Sequence, residues 1–148
     1  DVRGVGESRP DTCGKDQFLK AYGSDYFLSA HSLMLGRPYL GQKAYDVMRV
    51  VQWMEAHGHT EVHLAARGWG ALAAAPAALL SPAVRRVTLK NALTSWMDVA
   101  ITEDYDWPFA ALPHGVLERF DLPDVYRALD ARSLRQIEPW GPMDGMRE

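Results

Sequence analysis

The segment from residue 61 to residue 80 constrains the fold most strongly, because an apolar run gives way there to two glycines and then to alanines. The apolar residues of Glu61–Ala65 predict a short buried strand. Gly68 and Gly70 follow at once, and Trp69–Leu80 has the small apolar side chains of a buried helix. A strand that turns directly into a helix is typical of a parallel sheet with helices packed on it.

The rest of the chain alternates in the same way. Helices are predicted over Lys15–Leu35 and from Leu40 to Gly58, where apolar residues recur at helical spacing. The later predicted elements are a strand over Arg85–Lys90, short helices over Val116–Phe120 and Asp124–Leu129, and a strand over Leu134–Glu138. This order predicts an α/β fold with a short parallel sheet, and the length of 148 residues predicts a single domain, 1–148.

Charge, hydropathy and cysteine content argue against several classes of function. The formal net charge is -3 and no lysine- or arginine-rich face is evident, so no nucleic-acid partner is expected. No apolar run approaches the length of about 18 residues that spans a membrane. Cys13 is the only cysteine, so neither an internal disulfide nor a cysteine metal cage is expected. These observations leave the cellular compartment open.

Six segments together resemble the α/β-hydrolase family, in particular its acetyl-xylan-esterase-like and peptidase-like members. They are DVRGVGESRP, YGSDYF, GQKAYDVMRVVQWM, HLAARGWGAL, RRVTLKNALTSW and FDLPDVYRAL. The resemblance covers nearly the whole chain. It implies a truncated, three-layer α/β-hydrolase-like sandwich, in which this chain is a C-terminal part of the fold.

The resemblance also implies that the usual catalytic triad is incomplete. The family presents its serine nucleophile in a G-x-S-x-G turn between a strand and a helix. In this chain the turn is Ala66–Gly70, and Gly68 stands in the place of the serine. Asp144 matches the place of the family's catalytic acid, whereas the segment with the catalytic histidine would follow Glu148. Ser-His-Asp catalysis is therefore not expected.

Three of the five histidines lie within seven residues, at positions 57, 59 and 63. Neutral imidazoles are common zinc ligands, and a bound zinc lowers the pKa of its water to about 7. We therefore predict that His57, His59 and His63 bind zinc or another divalent transition metal. The activated water would cleave esters, lactones or phosphoesters such as phosphotriesters. The alternative is that none of them binds a metal: His57 would be an ordinary residue at a helix end, His59 a loop residue and His63 a residue at a strand start.

An acidic run and several aromatic residues form further candidate sites. Glu103, Asp104 and Asp106, near Asp98, either hold a hard cation such as calcium or belong to a solvated loop. His114 follows this run closely enough to join a site with it. The aromatic residues either line an apolar pocket or form the core of a small cap; they are Trp96, Tyr105, Trp107 and Phe109.

The residues around the glycine turn are candidates for ligand binding. Arg67, Gly68 and Trp69 lie at the start of a helix, where an anion is favoured by the free backbone N–H groups. The glycines of DVRGVGES match no phosphate-binding fingerprint. We expect them to permit a tight turn, and we expect Arg3 to pair with a nearby acid.

Three functions remain open from the sequence. The first is a hydrolase that cleaves a small-molecule substrate with a metal-activated water. The second is a catalytically inactive remnant of an α/β-hydrolase that binds a small molecule or a carbohydrate, and the third is a self-associating accessory domain. A truncated sheet leaves backbone groups unpaired at its edge, so we expect a homodimer or a higher homo-oligomer.

Overall fold

A computed structural model describes residues 1–8 and 25–145, which fold around a three-stranded parallel sheet with the strand order β1-β2-β3. The strands are β1 (Val62–Arg67), β2 (Val84–Lys90) and β3 (Leu134–Ile137). The α-helices are α1 (Tyr26–Met34), α2 (Tyr39–Ala56), α3 (Trp69–Leu80), α4 (Trp96–Ile101) and α5 (Leu122–Asp130), and 3-10 helices span Gly6–Ser8, Phe109–Ala111 and Val116–Glu118. None of the described helices is long and apolar enough to cross a membrane.

The predicted α/β class and the short parallel sheet are confirmed. The helix predicted over Trp69–Leu80 has the bounds of α3. β1 continues two residues beyond the predicted Ala65, because its pairing with β2 extends to Arg67 and Lys90. The predicted helix over Val116–Phe120 is a single 3-10 turn that ends at Glu118.

Two segments differ more from the sequence-based predictions. Of the helix predicted over Lys15–Leu35, residues 15–24 lie outside the described residues, and the remainder contains α1. Apolar residues between Thr94 and Pro113 recur at neither helical nor strand spacing, yet this stretch contains α4 and a 3-10 helix. α4 has only six residues, which is too short for a helical period to stand out.

The described helices that contact the sheet cover one of its faces. α3 packs on β1 and β2, and α2 and α5 contact α3 from its two sides. Val87 and Leu89 of β2 are fully buried on that face. The alanines of α3 are also buried and let the helix approach closely; they are Ala71, Ala73, Ala74, Ala75, Ala77 and Ala78. The opposite face exposes the alternate side chains of β1, so a three-layer sandwich stays a prediction.

Arg3 fastens the N-terminal segment to α2. Its backbone N–H and its guanidinium donate to the Asp46 carboxylate, and another guanidinium nitrogen donates to Gln42. The Tyr39 hydroxyl donates to the Arg3 carbonyl at 3.0 Å. Gly4 has a φ of +75°, and a Cβ there would overlap the Tyr39 hydroxyl. The predicted pairing of Arg3 with a nearby acid is therefore confirmed, and it holds the pKa of Asp46 below its ordinary value.

The Asp121 carboxylate joins the first turns of α4 and α5. It accepts hydrogen bonds from the Ser95 hydroxyl at 2.6 Å and from the Trp96 amide at 2.7 Å, where α4 begins. It also caps α5 by accepting from the Leu122 amide at 2.7 Å. Burial raises the pKa of Asp121, but the hydrogen bonds from the Ser95 hydroxyl and the neighbouring amides outweigh burial, so the pKa lies below its ordinary value.

We predict that Asp121→Asn lowers the free energy of unfolding at neutral pH by about 1–3 kcal/mol, because it removes the charge and one of the two acceptor oxygens. The stabilisation by the wild-type carboxylate is complete above its unfolded-state pKa and is lost as the pH falls through the lower folded-state pKa. The difference between the two proteins should therefore shrink toward acidic pH in urea titrations. Asp130→Asn, at the exposed end of α5, is the control. A difference that stays constant with pH would contradict this role.

Candidate functional site

Gly68 connects β1 to α3 in a conformation that side chains rarely adopt. Its φ is 54° and its ψ is -125°, and it caps the first turn of the helix. Its N–H donates to the Lys90 carbonyl at 2.9 Å, and its carbonyl accepts from the Ala71 amide at 3.0 Å. Among the described residues, a Cβ at this position would meet only the Trp140 ring, at 3.8 Å. Glycine is therefore favoured by the backbone conformation and not by a lack of space.

The turn that contains Asp144 lies against the first residue of α3. The Gly141 N–H donates to Asp144 Oδ2 at 2.9 Å and closes this turn after β3. Two indoles hold the turn in place: Trp69 donates to the Gly145 carbonyl at 2.9 Å, and Trp107 donates to the Gly141 carbonyl at 2.9 Å. The structure thus brings the segment of the predicted acid, Asp144, to the glycine turn.

The predicted ligand-binding residues around the turn differ in exposure. Gly68 is buried, whereas the side chain of Arg67 is exposed and Trp69 is 43% exposed. Arg67 Nε donates to Asn91 Oδ1 at 3.2 Å, and Asn91 in turn donates to the Glu138 carbonyl at 3.0 Å. These bonds orient the Arg67 guanidinium at the carboxyl edge of the sheet, where ligands of open α/β sheets bind.

The three predicted metal ligands lie around the other end of β1. His57 ends α2, where its Nδ1 donates to the Trp53 carbonyl at 2.7 Å and its ring packs on the Trp53 ring. His59 is exposed in the following loop. His63 Nε2 is 2.9 Å from the Thr88 hydroxyl on β2. Within residues 1–8 and 25–145, no three His, Cys, Asp or Glu side chains are grouped as a metal site.

The acidic run is exposed around the buried Trp107. Glu103, Asp104 and Asp106 are exposed, and the Asp106 amide donates to the Pro142 carbonyl at 3.0 Å. None of these carboxylates belongs to a group of metal-binding side chains in the described part of the chain. The three carboxylates are exposed to solvent, and the choice between a cation site and a solvated loop stays a prediction.

A pocket of about 550 Å³ lies beside the acidic run, in the connection between β2 and α5. Its walls include Trp96, Tyr105 and His114, three side chains that the sequence suggested for a pocket or a joint site. Trp107, in contrast, is 2% exposed and belongs to the core. The remaining wall is Val99, Ala100, Leu112, Pro113, Gly115, Val116, Leu117 and Glu118. Most of it comes from the segment after Leu112, which carries no sequence signal for a pocket.

The position of this pocket follows from the topology. The connection leaves the carboxyl end of β2 and returns to the first turn of α5, and Asp121 ties its two ends together. The pocket therefore lies on the carboxyl side of the sheet, as the glycine turn does. Comparison with protein-family models, curated proteins and solved structures finds no match to this chain.

We predict that Gly68→Ala lowers the free energy of unfolding by about 1–3 kcal/mol, because alanine is strained in this positive-φ conformation. Gly41→Ala is the matched control, since Gly41 lies inside α2 and no other described residue comes within 4 Å of a new Cβ. That change should stabilise the protein by about 0.5–1 kcal/mol. Urea denaturation of both variants measures the difference. Equal free energies of unfolding for the Gly68→Ala and Gly41→Ala variants would contradict the strain expected at Gly68.

Proposed function

We propose that this chain is an α/β-hydrolase-like module that binds a small apolar molecule without serine-based catalysis. The pocket beside Trp96 and Tyr105 is the observation that carries the proposal. Its volume of about 550 Å³ is within the range of sites for small organic molecules, and it lies on the side of the sheet where such sites form.

The pocket wall suits a ligand with an aromatic or acyl body and one polar group. Aliphatic side chains make up most of the surface, and the Trp96 and Tyr105 rings add flat contacts. His114 and Glu118 supply the charged or hydrogen-bonding groups. An aromatic ester, or the phenol that remains after its cleavage, has this combination of surfaces. This is also the substrate class that the family resemblance implies.

The glycine turn supports the relationship to α/β-hydrolases and the loss of their nucleophile. In that family a strained strand-to-helix turn exposes the serine hydroxyl. Gly68 occupies such a turn, has no reactive side chain, and lies next to the segment of Asp144. A complete three-layer sandwich has helices on both faces of its sheet, whereas the module proposed here is truncated and leaves one face without a helix among the described residues.

We predict that p-nitrophenol and phenyl acetate bind in this pocket, quench tryptophan fluorescence and raise the melting temperature, and that in the presence of a chelator p-nitrophenyl acetate is not hydrolysed above the rate in buffer. Ligand at 100 times its Kd should stabilise the protein by about 2.7 kcal/mol. Ala100→Trp would fill the pocket from an exposed position and abolish binding. Ala128→Trp, on the exposed side of α5, is the control with the same added indole. Binding that both variants retain would contradict the proposed site.

A metal-activated hydrolase is the second proposal, and one hydrogen bond favours it. His57 Nδ1–H donates to the Trp53 carbonyl, so in a neutral ring Nε2 is the nitrogen that has a free lone pair for a metal. Zinc-bound histidines are commonly oriented by such a bond to a backbone carbonyl. His59 and the Nδ1 atom of His63 would have to approach His57 Nε2, which requires a rearrangement of the loop at Gly58.

We predict for this second proposal that the purified protein holds about one zinc per chain and cleaves a p-nitrophenyl ester or a phosphotriester until a chelator is added. His57→Ala would remove both the metal and the activity, because it deletes one of three ligands. His31→Ala, on an exposed part of α1, is the control. Metal-free protein, measured by elemental analysis after purification without chelators, would rule out this proposal and leave the first one standing.

A further inference from the structure

The sheet face that carries no described helix collects basic side chains from all three strands. The register of β1 and β2 places His63 beside Arg86, and Arg67 beside Lys90. The register of β2 and β3 places Arg135 beside Thr88. We call this surface the basic sheet face; its residues are His63, Ala65, Arg67, Arg86, Thr88, Lys90, Arg135 and Ile137.

The charge of the basic sheet face is opposite to that of the whole chain. None of its eight residues is acidic and four are lysine or arginine, although the net charge of the chain is -3. All four cationic residues are exposed. Lys90 has a weak partner in Glu138, 3.4 Å away, whose side chain is 71% exposed. Arg86 and Arg135 form no ion pair with any described residue.

The spacing of these groups suits a regular polyanion better than a single anion. Arg86, Thr88 and Lys90 follow one another on the same face of β2, about 6.6 Å apart, because each is two residues from the next. Arg67 and Arg135 stand on the neighbouring strands, about 4.8 Å to either side. The face therefore offers a row of positive and hydrogen-bonding groups along β2 with a guanidinium on each flank.

We propose that the basic sheet face binds the phosphate backbone of a single-stranded nucleic acid laid along β2. Lysine, arginine and threonine side chains are typical phosphate contacts. Contacts to phosphates carry no base information, so this binding is independent of base sequence. The net charge of -3 predicts no nucleic-acid partner. The cations escape notice in the sequence because they alternate with apolar residues along each strand, and only the strand register brings them together.

Contacts from four cations set the salt dependence of this binding. For single strands, the logarithm of the binding constant falls with the logarithm of salt concentration with a slope of about -0.7 per neutralised phosphate. Four contacts give a slope of about -2.8, which is a loss of about 50-fold between 50 mM and 200 mM salt. Removal of two cations should reduce the slope to about -1.4.

The test is fluorescence anisotropy of a labelled 20-nucleotide oligo(dT) titrated with the whole chain at several salt concentrations. The Arg86→Gln, Arg135→Gln double variant should halve the salt slope, whereas the corresponding lysine variant should keep it. Arg127→Gln, on the exposed side of α5, is the matched control and should leave binding unchanged. Both affected side chains are exposed, and far-UV CD and melting curves verify that the variants fold.

Four outcomes would overturn the proposal. They are no binding of oligo(dT) at 50 mM salt, binding that the double glutamine variant retains, binding of a heparin oligosaccharide but not of oligo(dT), and a double variant that changes only the chain's self-association. The Ala100→Trp pocket variant separates this surface from the proposed small-molecule site. It should leave oligo(dT) binding unchanged whether or not the pocket binds its ligand.

Discussion

The close packing of α3 on the sheet is the constraint on which the other contacts depend. The helix presents buried alanines to Val87 and Leu89, and it also separates α2 from α5. A larger side chain on the sheet side would push α3 outward at a cost of about 1–3 kcal/mol. Gly68 completes the constraint, because its positive φ sends the chain from β1 into α3 within one residue. The glycine turn and the alanines thus specify the same interface.

The sequence predicts the parts of this fold that local composition determines. Apolar runs and alanines identify β1, β2 and α3 to within two residues at each end. The pocket is not predictable in this way, because its shape depends on Asp121, which is 26 residues from its partner Ser95. The basic sheet face is hidden for another reason: Arg86 and Lys90 alternate with apolar residues, and only strand register aligns them with Arg67. The histidine cluster rests on sequence proximity, and a turn at Gly58 lies between His57 and the strand, so the metal site stays a prediction.

The possible chemistry is divided between the two ends of the sheet. The glycine turn, the Asp144 turn and the pocket gather at the carboxyl ends of the strands. His57 and His59 lie before the amino end of β1. A small-molecule site and a metal site would therefore be separate sites, and a ligand in the pocket would not contact a metal held by these histidines. Each proposal can fail without affecting the other.

The room around Gly68 makes the turn a natural position for protein engineering. In the part of the chain that the structure describes, only the Trp140 ring approaches a Cβ there, so a cysteine would meet conformational strain but no collision with these residues. Its thiol would project at the first turn of a twelve-residue helix, where the helix dipole favours the thiolate. A scaffold that lacks a nucleophile at this turn would then carry an artificial one. The chain has one natural cysteine, Cys13, so an activated thiol at position 68 would have a single competitor for a labelling reagent.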